Sequence, residues 1–457
     1  MSKENQLPRE NKMGTMPIGK LLFTMALPMI IAMLVQALYN VVDSIYVSQI
    51  SESAVTALGL AFPIQNILIG FATGIGVGVN SLLSKSLGEG NQKAANRAAG
   101  NGIFLLIIAT ALFVLFGFFG SRPYFEIQSS VPETVDGGTV YTAICCIGSL
   151  GIFVEILGER LLQSSGRTFY TLITQGSGAV INIVLDPLFI FGFEPLGIAP
   201  MGIAGAAVAT IIGQWIAAIL AVIFNFKSNP DVQFALSYMK PHAKTLRPIL
   251  TVGIPSIIMM AIGSVMNFGM NQILQSFHET ATGVFAIYFK LQSFFFMPLF
   301  GINNATISIV AYNYGARNPK RITGTLLRSS LTALCIMIAG LLIFQFLPDP
   351  LLEIFNPSDE FLRIGRKALR LISLCFPAAA IGIALSASFQ AMGDGIYSTI
   401  TSLCRQLVVL LPVAYLLSLT GEVVNVWWAF PIAEVASLCA TVFFYCRIYR
   451  RKIKPLM

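Results

Sequence analysis

The chain has 457 residues, of which 55% are hydrophobic and 11% charged, less than half of the roughly 25% charge typical of soluble domains. With a mean hydropathy of +0.76 it cannot cover a water-facing surface, which excludes a soluble enzyme, a disordered scaffold and a disulfide-stapled secreted module. The formal charge of +8 has to be read by position before it implies any acidic partner.

Residues 1–17 are polar. The apolar run behind them is too long for a signal-peptide core and no small-residue cleavage site follows, so no cleaved leader is expected. A helix needs about 20 apolar residues to cross roughly 30 Å of hydrocarbon. Twelve such runs occur, at 18–47, 54–84, 96–119, 139–161, 169–192 and 202–226, then at 247–275, 281–311, 323–347, 366–389, 397–418 and 423–447. They are too long and too continuous for barrel strands. The expected fold is an all-α polytopic membrane protein with twelve transmembrane helices.

Lysine and arginine orient these spans. Twenty-three of the 29 fall on one side: the N-terminal segment (Lys3, Arg9, Lys12, Lys20), the even-numbered connections with residues such as Lys93, Arg167, Lys240 and Lys320, Arg405, and the tail from Arg447 to Lys454. Five lie opposite (Arg122, Arg363, Arg366, Lys367, Arg370), and Lys290 falls inside a span. Both termini are therefore expected in the cytoplasm and the chain in the cell (inner) membrane. Topology accounts for the charge without a nucleic-acid partner. The seven cysteines form no CxxC, and His242 and His278 are far apart, so packing thiols are expected here and a Cys/His metal site is not.

A shift of 227 residues superposes the two halves without a gap through loops as well as spans. Pro28 meets Pro255, Asn40 meets Asn267, Glu52 meets Glu279, Gly88-x-x-Asn91 meets Gly315-x-x-Asn318, and Gln163-x-x-Gly166 meets Gln390-x-x-Gly393. Each half has six spans, so the halves enter the membrane in the same direction, as parallel repeats about a central cavity. The expected organisation is an N-lobe over residues 1–227, a linker at 228–244 and a C-lobe over 245–457.

Acidic residues inside spans are expensive and are functional candidates by default. Asp43 in the first span and Asp186 in the fifth both lie roughly 9 Å from the outer end of their spans at about 1.5 Å rise per residue, so they can meet. Tyr39 shares a helix face with Asp43, and Asn182 with Asp186, each at i,i+4. Pro187 loosens the helix at the Ile183 carbonyl. Carboxylates, amides, hydroxyls and freed carbonyls are the donors that hold a hard cation such as Na⁺, and paired carboxylates also exchange protons. Glu155 and Glu434 are intramembrane too, and Lys290 can pair with Glu434 or contact a substrate. Glu159, Arg160 and Arg405 are expected at the cytoplasmic interface. Gly74-Ile75-Gly76-Val77-Gly78 lacks a strand–turn–helix setting, so it reads as close helix packing, and no catalytic constellation points to an enzyme.

These residues resemble the multidrug and toxic compound extrusion (MATE) family over essentially the whole chain. The resemblance rests on Ala26-Leu27-Pro28 with Asn40-x-x-Asp43, Gln163-x-x-Gly166-Arg167, Asn182-x-x-x-Asp186-Pro187, Gly205-Ala206-Ala207-Val208-Ala209-Thr210, Tyr312-Asn313-Tyr314-Gly315-Ala316 and Gln390-Ala391-Met392-Gly393-Asp394. It implies two pseudo-symmetric six-helix lobes and export of amphipathic, often cationic drugs against inward Na⁺ or H⁺, with no other cofactor, in a monomer among membrane lipids. The DinF-like branch it suggests places the cation in the N-lobe, on Asp43, Asn182, Asp186 and Thr210, with Tyr39 beside Asp43 and the Ala206 carbonyl as a further ligand. Spans seven and ten contain no Asp or Glu, so a C-lobe cation site is not expected. The rival cargo is a lipid-linked saccharide or other amphipathic lipid moved by a flippase; a membrane enzyme or receptor is the rival class.

In a cysteine-depleted background, single cysteines near Lys93, Lys240 and Lys452 should react with an impermeant maleimide only from the cytoplasmic side. Those near Glu133 and Asp359 should react only from outside. Finding Glu133 and Lys240 on the same side would contradict the twelve-span topology.

Overall fold

With no water to satisfy its amides, a chain inside hydrocarbon has to close its own backbone hydrogen bonds, and continuous helix does this within one segment. The computed structural model describes residues 11–277, 279–355 and 358–457. Lys3, Arg9 and His278, with the side chains of Asn40, Glu52 and Glu279, lie outside the described residues. Among those described there is no strand, only an isolated bridge between Phe193 and Ile198.

The helices are α1 (Ile18–Ser48), α2 (Glu52–Gly88), α3 (Gln92–Phe119), α4 (Pro132–Ile147), α5 (Leu150–Ser164), α6 (Thr168–Ile190) and α7 (Ile203–Ser228) in the first half. The second half has α8 (Ala243–Gln275), α9 (Glu279–Gly315), α10 (Pro319–Phe346), α11 (Asp359–Ser373), α12 (Phe376–Ala391), α13 (Gly395–Leu403), α14 (Leu411–Ser418) and α15 (Ala429–Ile448). A π-helical turn, Cys404–Leu410, joins α13 to α14. Ten segments among the described residues are long and apolar enough to span a bilayer, and the bent pairs α4–α5 and α11–α12 add two more.

Those two pairs differ from the unbroken crossings expected at 139–161 and 366–389: they bend by 46° and 44°. At the first break Gly148 is pressed against Ile211 of α7, where any side chain would collide. At the second, Pro377 stands in the first turn of α12 and offers no N–H to continue α11. The breaks lie at Gly148 and Cys375, again 227 residues apart.

The duplication is visible in backbone detail. Gly166 and Gly393 both close a helix in the left-handed region, at φ 81°, with the next amide reaching back to Leu162 and Phe389 respectively, each at 2.7 Å. Asn91 and Asn318 cap α3 and α10 through their side chains. Gly90 is left-handed, and so is its counterpart Arg317, at φ 53°, a conformation that costs a non-glycine residue about 1–2 kcal/mol.

The halves meet through the same symmetry. Gly74 of α2 lies against Ile257 of α8, and its counterpart Gly301 of α9 lies against Ile30 of α1, the counterpart of Ile257. Toward the lysine- and arginine-rich end, Gly88 abuts the Tyr312 carbonyl while Gly315 abuts that of Lys85, so α2 and α9 close on one another. Hydrogen bonds lock this end. Ser81 donates to the Gln390 carbonyl at 2.7 Å, and Ser308 to Asn80 Oδ1 at 3.1 Å. Arg321 donates to the carbonyls of Met13 and Met16 at 2.9 and 2.8 Å. The segment between the halves is strapped to α3: Asn101 donates to the Tyr238 carbonyl and accepts from the His242 amide.

A methyl group at Gly88 or Gly315 would overlap backbone atoms of the other half. Overpacking of this kind costs about 1–3 kcal/mol, so Gly88→Ala and Gly315→Ala should each depopulate the state closed at the basic end by about 5- to 150-fold. Spin-label distances between α3 and α10 at that end should lengthen in both variants. Unchanged distance distributions would contradict the proposed role of these glycines.

Candidate functional site

Small residues bring the acidic helices together. Gly178 and Gly213 each face the other's carbonyl where α6 crosses α7, and Gly205 lies against the Phe189 carbonyl near the end of α6. This approach sets Thr210 beside Asn182: the Asn182 amide donates to Thr210 Oγ1 at 3.3 Å and to Asp186 Oδ1 at 3.3 Å. Asp186 is fully buried, Asn182, Thr210 and Ala206 are buried as well, and Pro187 leaves the Ile183 carbonyl without its helical donor.

From α1, Asp43 and Tyr39 complete the cluster. Asp43 is in electrostatic range of Asp186, and Tyr39 of Asp43, Glu155 and Asp186. An edge-on contact between Tyr46 and Phe191, with centroids 6.4 Å apart, holds α1 and α6 in register just beyond the acids. The structure thus collects Tyr39, Asp43, Glu155, Asn182, Asp186, Ala206 and Thr210 in the first half. Three buried oxygens there have no hydrogen-bond partner among the described residues: Asp43 Oδ1, Asn182 Oδ1 and Asp186 Oδ2. Unsatisfied acceptors from two carboxylates and an amide suit a hard cation or a proton.

Sequence reasoning missed Gln65 and Tyr141, whose 2.8 Å hydrogen bond adjoins this cluster; a glutamine inside an apolar span was the available signal. It also missed that Glu159 and Arg160 are packed inside the bundle, where both are buried. Glu159 accepts from Thr174 Oγ1 at 2.7 Å and Gln175 Nε2 at 2.8 Å, while Arg160 donates to Gln163 at 2.9 Å.

The expected alternatives for Lys290 separate as well. Glu434 is buried and its partner is Arg405, with Nη1 3.6 Å from Oε1, so Lys290 is not the partner of Glu434. Lys290 is exposed on α9. It lies eleven residues from Gly301, about three full turns, and so shares the face that touches α1 of the other half. Beyond that contact the face is exposed at Phe294 and Lys290.

A protein-family model, MatE, matches the chain at residues 28–188 and again at 255–416, two matches whose starts are offset by the 227 residues of the internal repeat. The chain is 25% identical over 426 residues to a FAD transporter of Shewanella oneidensis, covering 92% of each. It is 22% identical over 423 residues to the multidrug export protein MepA of Staphylococcus saprophyticus, again covering 92% of each. A solved outward-facing structure of a multidrug resistance MATE family transporter superposes with a TM-score of 0.87 at 25% identity, covering 100% of this chain and 99% of that one.

Proposed function

Because this chain belongs to the MatE family of membrane transporters, we propose that it is a multidrug efflux antiporter driven by an inward flow of Na⁺ or H⁺. The observation that carries the reading is the set of partnerless buried oxygens on Asp43, Asn182 and Asp186. The relatives named for multidrug export support small drug molecules as cargo, and the class proposed is amphipathic compounds, organic cations among them. The basic end is the cytoplasmic one, so the contacts that close the halves on one another there make the state described one closed inward. The protein works as a monomer in the cell membrane with both termini in the cytoplasm, as a transporter rather than an enzyme, and needs no cofactor besides the coupling ion.

The mechanism follows from differential binding: a cation drives the change of facing only if it binds one state more tightly than the other. Asp43 is supplied by α1, which also carries Ile30 at the inter-half contact, whereas Asp186, Asn182 and Thr210 come from α6 and α7. Drawing these oxygens around one cation shifts α1 against α6 and α7, and with it the contact on α9. Cargo in the cleft and a cation among these oxygens then favour different positions of α1. A Na⁺ ion and a proton compete for the same oxygens, so either suits the site. The alternative cargo, a lipid-linked saccharide or other amphipathic lipid, draws support from Lys290, exposed on α9.

Residues that bind one ion act as a unit, so their losses do not add. In proteoliposomes with imposed Na⁺ and pH gradients, Asp43→Asn and Asp186→Asn should each abolish gradient-driven ethidium export, and the double variant should be no worse. Thr210→Val should weaken coupling only about fivefold, the loss of one neutral hydrogen-bonding oxygen at about 1 kcal/mol. Met270→Leu, at the counterpart of Asp43 in the second half, should be nearly silent. Well-folded Asp43→Asn transporting at the normal rate would remove Asp43 from the mechanism.

A further inference from the structure

Two stripes of the second half, one on α8 and one on α9, carry the faces of the inter-half contact onward along their helices. On α9 the stripe through Gly301 continues outward as Met297, Phe294 and Lys290. On α8 the stripe through Ile257 continues as Met260 and, eleven residues outward, Phe268. Ile257 and Gly301 are at matching depths because their partners Gly74 and Ile30 are the symmetry counterparts of Gly301 and Ile257. Lys290 and Phe268 therefore stand at the same height, about 16 Å outward of the contact at about 1.5 Å per residue.

The stripes are turned from the packed interior of their own half. Met266, Met270 and Leu274 of α8 and Val284, Phe285 and Tyr288 of α9 fill that interior, whereas Phe268 is 66% exposed and Phe294 43% exposed. The acids of the first half do not neutralise the lysine. Asp43 lies thirteen residues outward of Ile30, about 220° round α1 at about 3.6 residues per turn, so it faces into its own half. Glu434 is taken by Arg405. Among the described residues Lys290 has no ion-pair partner, and an ammonium group inside a membrane span is rare unless it faces water and a function.

We propose that Lys290, with Phe294 one turn away on α9 and Phe268 at the same height on α8, is an anion-binding subsite of the cleft that admits aromatic amphiphiles carrying a carboxylate or phosphate. The inference rests on the transporter reading above and names a substrate class for the same cleft. The ring faces and the thioethers of Met260 and Met297 take up the apolar body, being adaptable to shape. The ammonium fixes the charged end with a charge-assisted hydrogen bond. A cation coupled at Asp43 and Asp186 and an anion held at Lys290 would occupy opposite halves of one level of the molecule. Bound anionic cargo is thereby kept clear of the acids that carry the coupling ion.

The test uses proteoliposomes of the full chain under the driving gradient, with carboxyfluorescein as aromatic anion, ethidium as aromatic cation, and phosphatidylglycerol labelled on its acyl chain for a dithionite flip assay. Wild-type protein should transport carboxyfluorescein. Lys290→Gln should reduce that transport at least about tenfold, the scale of a lost charged hydrogen bond, leave ethidium export unchanged, and be rescued by Lys290→Arg. Thermal unfolding of each variant in detergent checks that the fold is intact, and exposure of the side chain makes the substitution mild. Lysine-dependent flipping of the labelled lipid would place the anion on a lipid headgroup; dye transport without flipping would place it on a soluble cargo. Absence of carboxyfluorescein transport and lipid flipping by the wild type, or equal loss of both dyes in Lys290→Gln, would overturn the subsite. Ethidium export would still stand as evidence for the transporter, and loss of every activity in the wild type would count against the transporter reading itself.

Discussion

Hydrocarbon does not solvate charge, and the arrangement of every polar group in this chain follows from that constraint. Most intramembrane polar groups have found a partner: Glu434 has Arg405, Glu159 has Thr174 and Gln175, and Asn80 Oδ1 takes hydroxyls from Ser84, Ser164 and Ser308. Such satisfied groups stiffen the scaffold. Among those left over are the carboxylate and amide oxygens of Asp43, Asn182 and Asp186, clustered in one half, which the proposed function assigns to a mobile ion.

A symmetric scaffold carries an asymmetric chemistry. The glycines that let helices touch recur at a spacing of 227, as do the capping asparagines and the broken crossings, because both halves solve the same packing problem. The charged residues inside the spans do not recur. Asp43 corresponds to Met270, Asp186 to Val413 and Lys290 to Pro63. Met270 lies fully buried in the apolar interior of the second half, so the position taken by a carboxylate in one lobe is filled with methionine in the other. Coupling can then be confined to the first half while both halves shape the cleft.

Spans, the repeat and the nearness of Asp43 to Asp186 were legible in the sequence because each rests on a strong local signal: apolar length, a constant register, and matching depth of two acids in membrane helices. Bends were not. Gly148 looks like any other small residue until Ile211 of a distant helix is set against it, and Pro377 resembles prolines that helices tolerate elsewhere in the chain. The burial of Glu159 and Arg160 was hidden for a related reason. It comes from distant helices: Thr174 and Gln175 of α6 cover Glu159, and Arg160 packs against Gly76 of α2. The pairing of Lys290 with Glu434 failed because depth alone says nothing of helix face: one residue is exposed and the other is buried.

The central claim is that Asp43 and Asp186 form one shared cation site. Infrared difference spectra of the carboxyl stretch, recorded on adding Na⁺ or stepping the pH, observe both groups directly whichever ion is used. The account predicts that wild-type protein gives coupled carboxyl bands, and that Asp43→Asn and Asp186→Asn each abolish the whole signal. Two independent bands, each lost only with its own residue while the other persists unchanged, would contradict it.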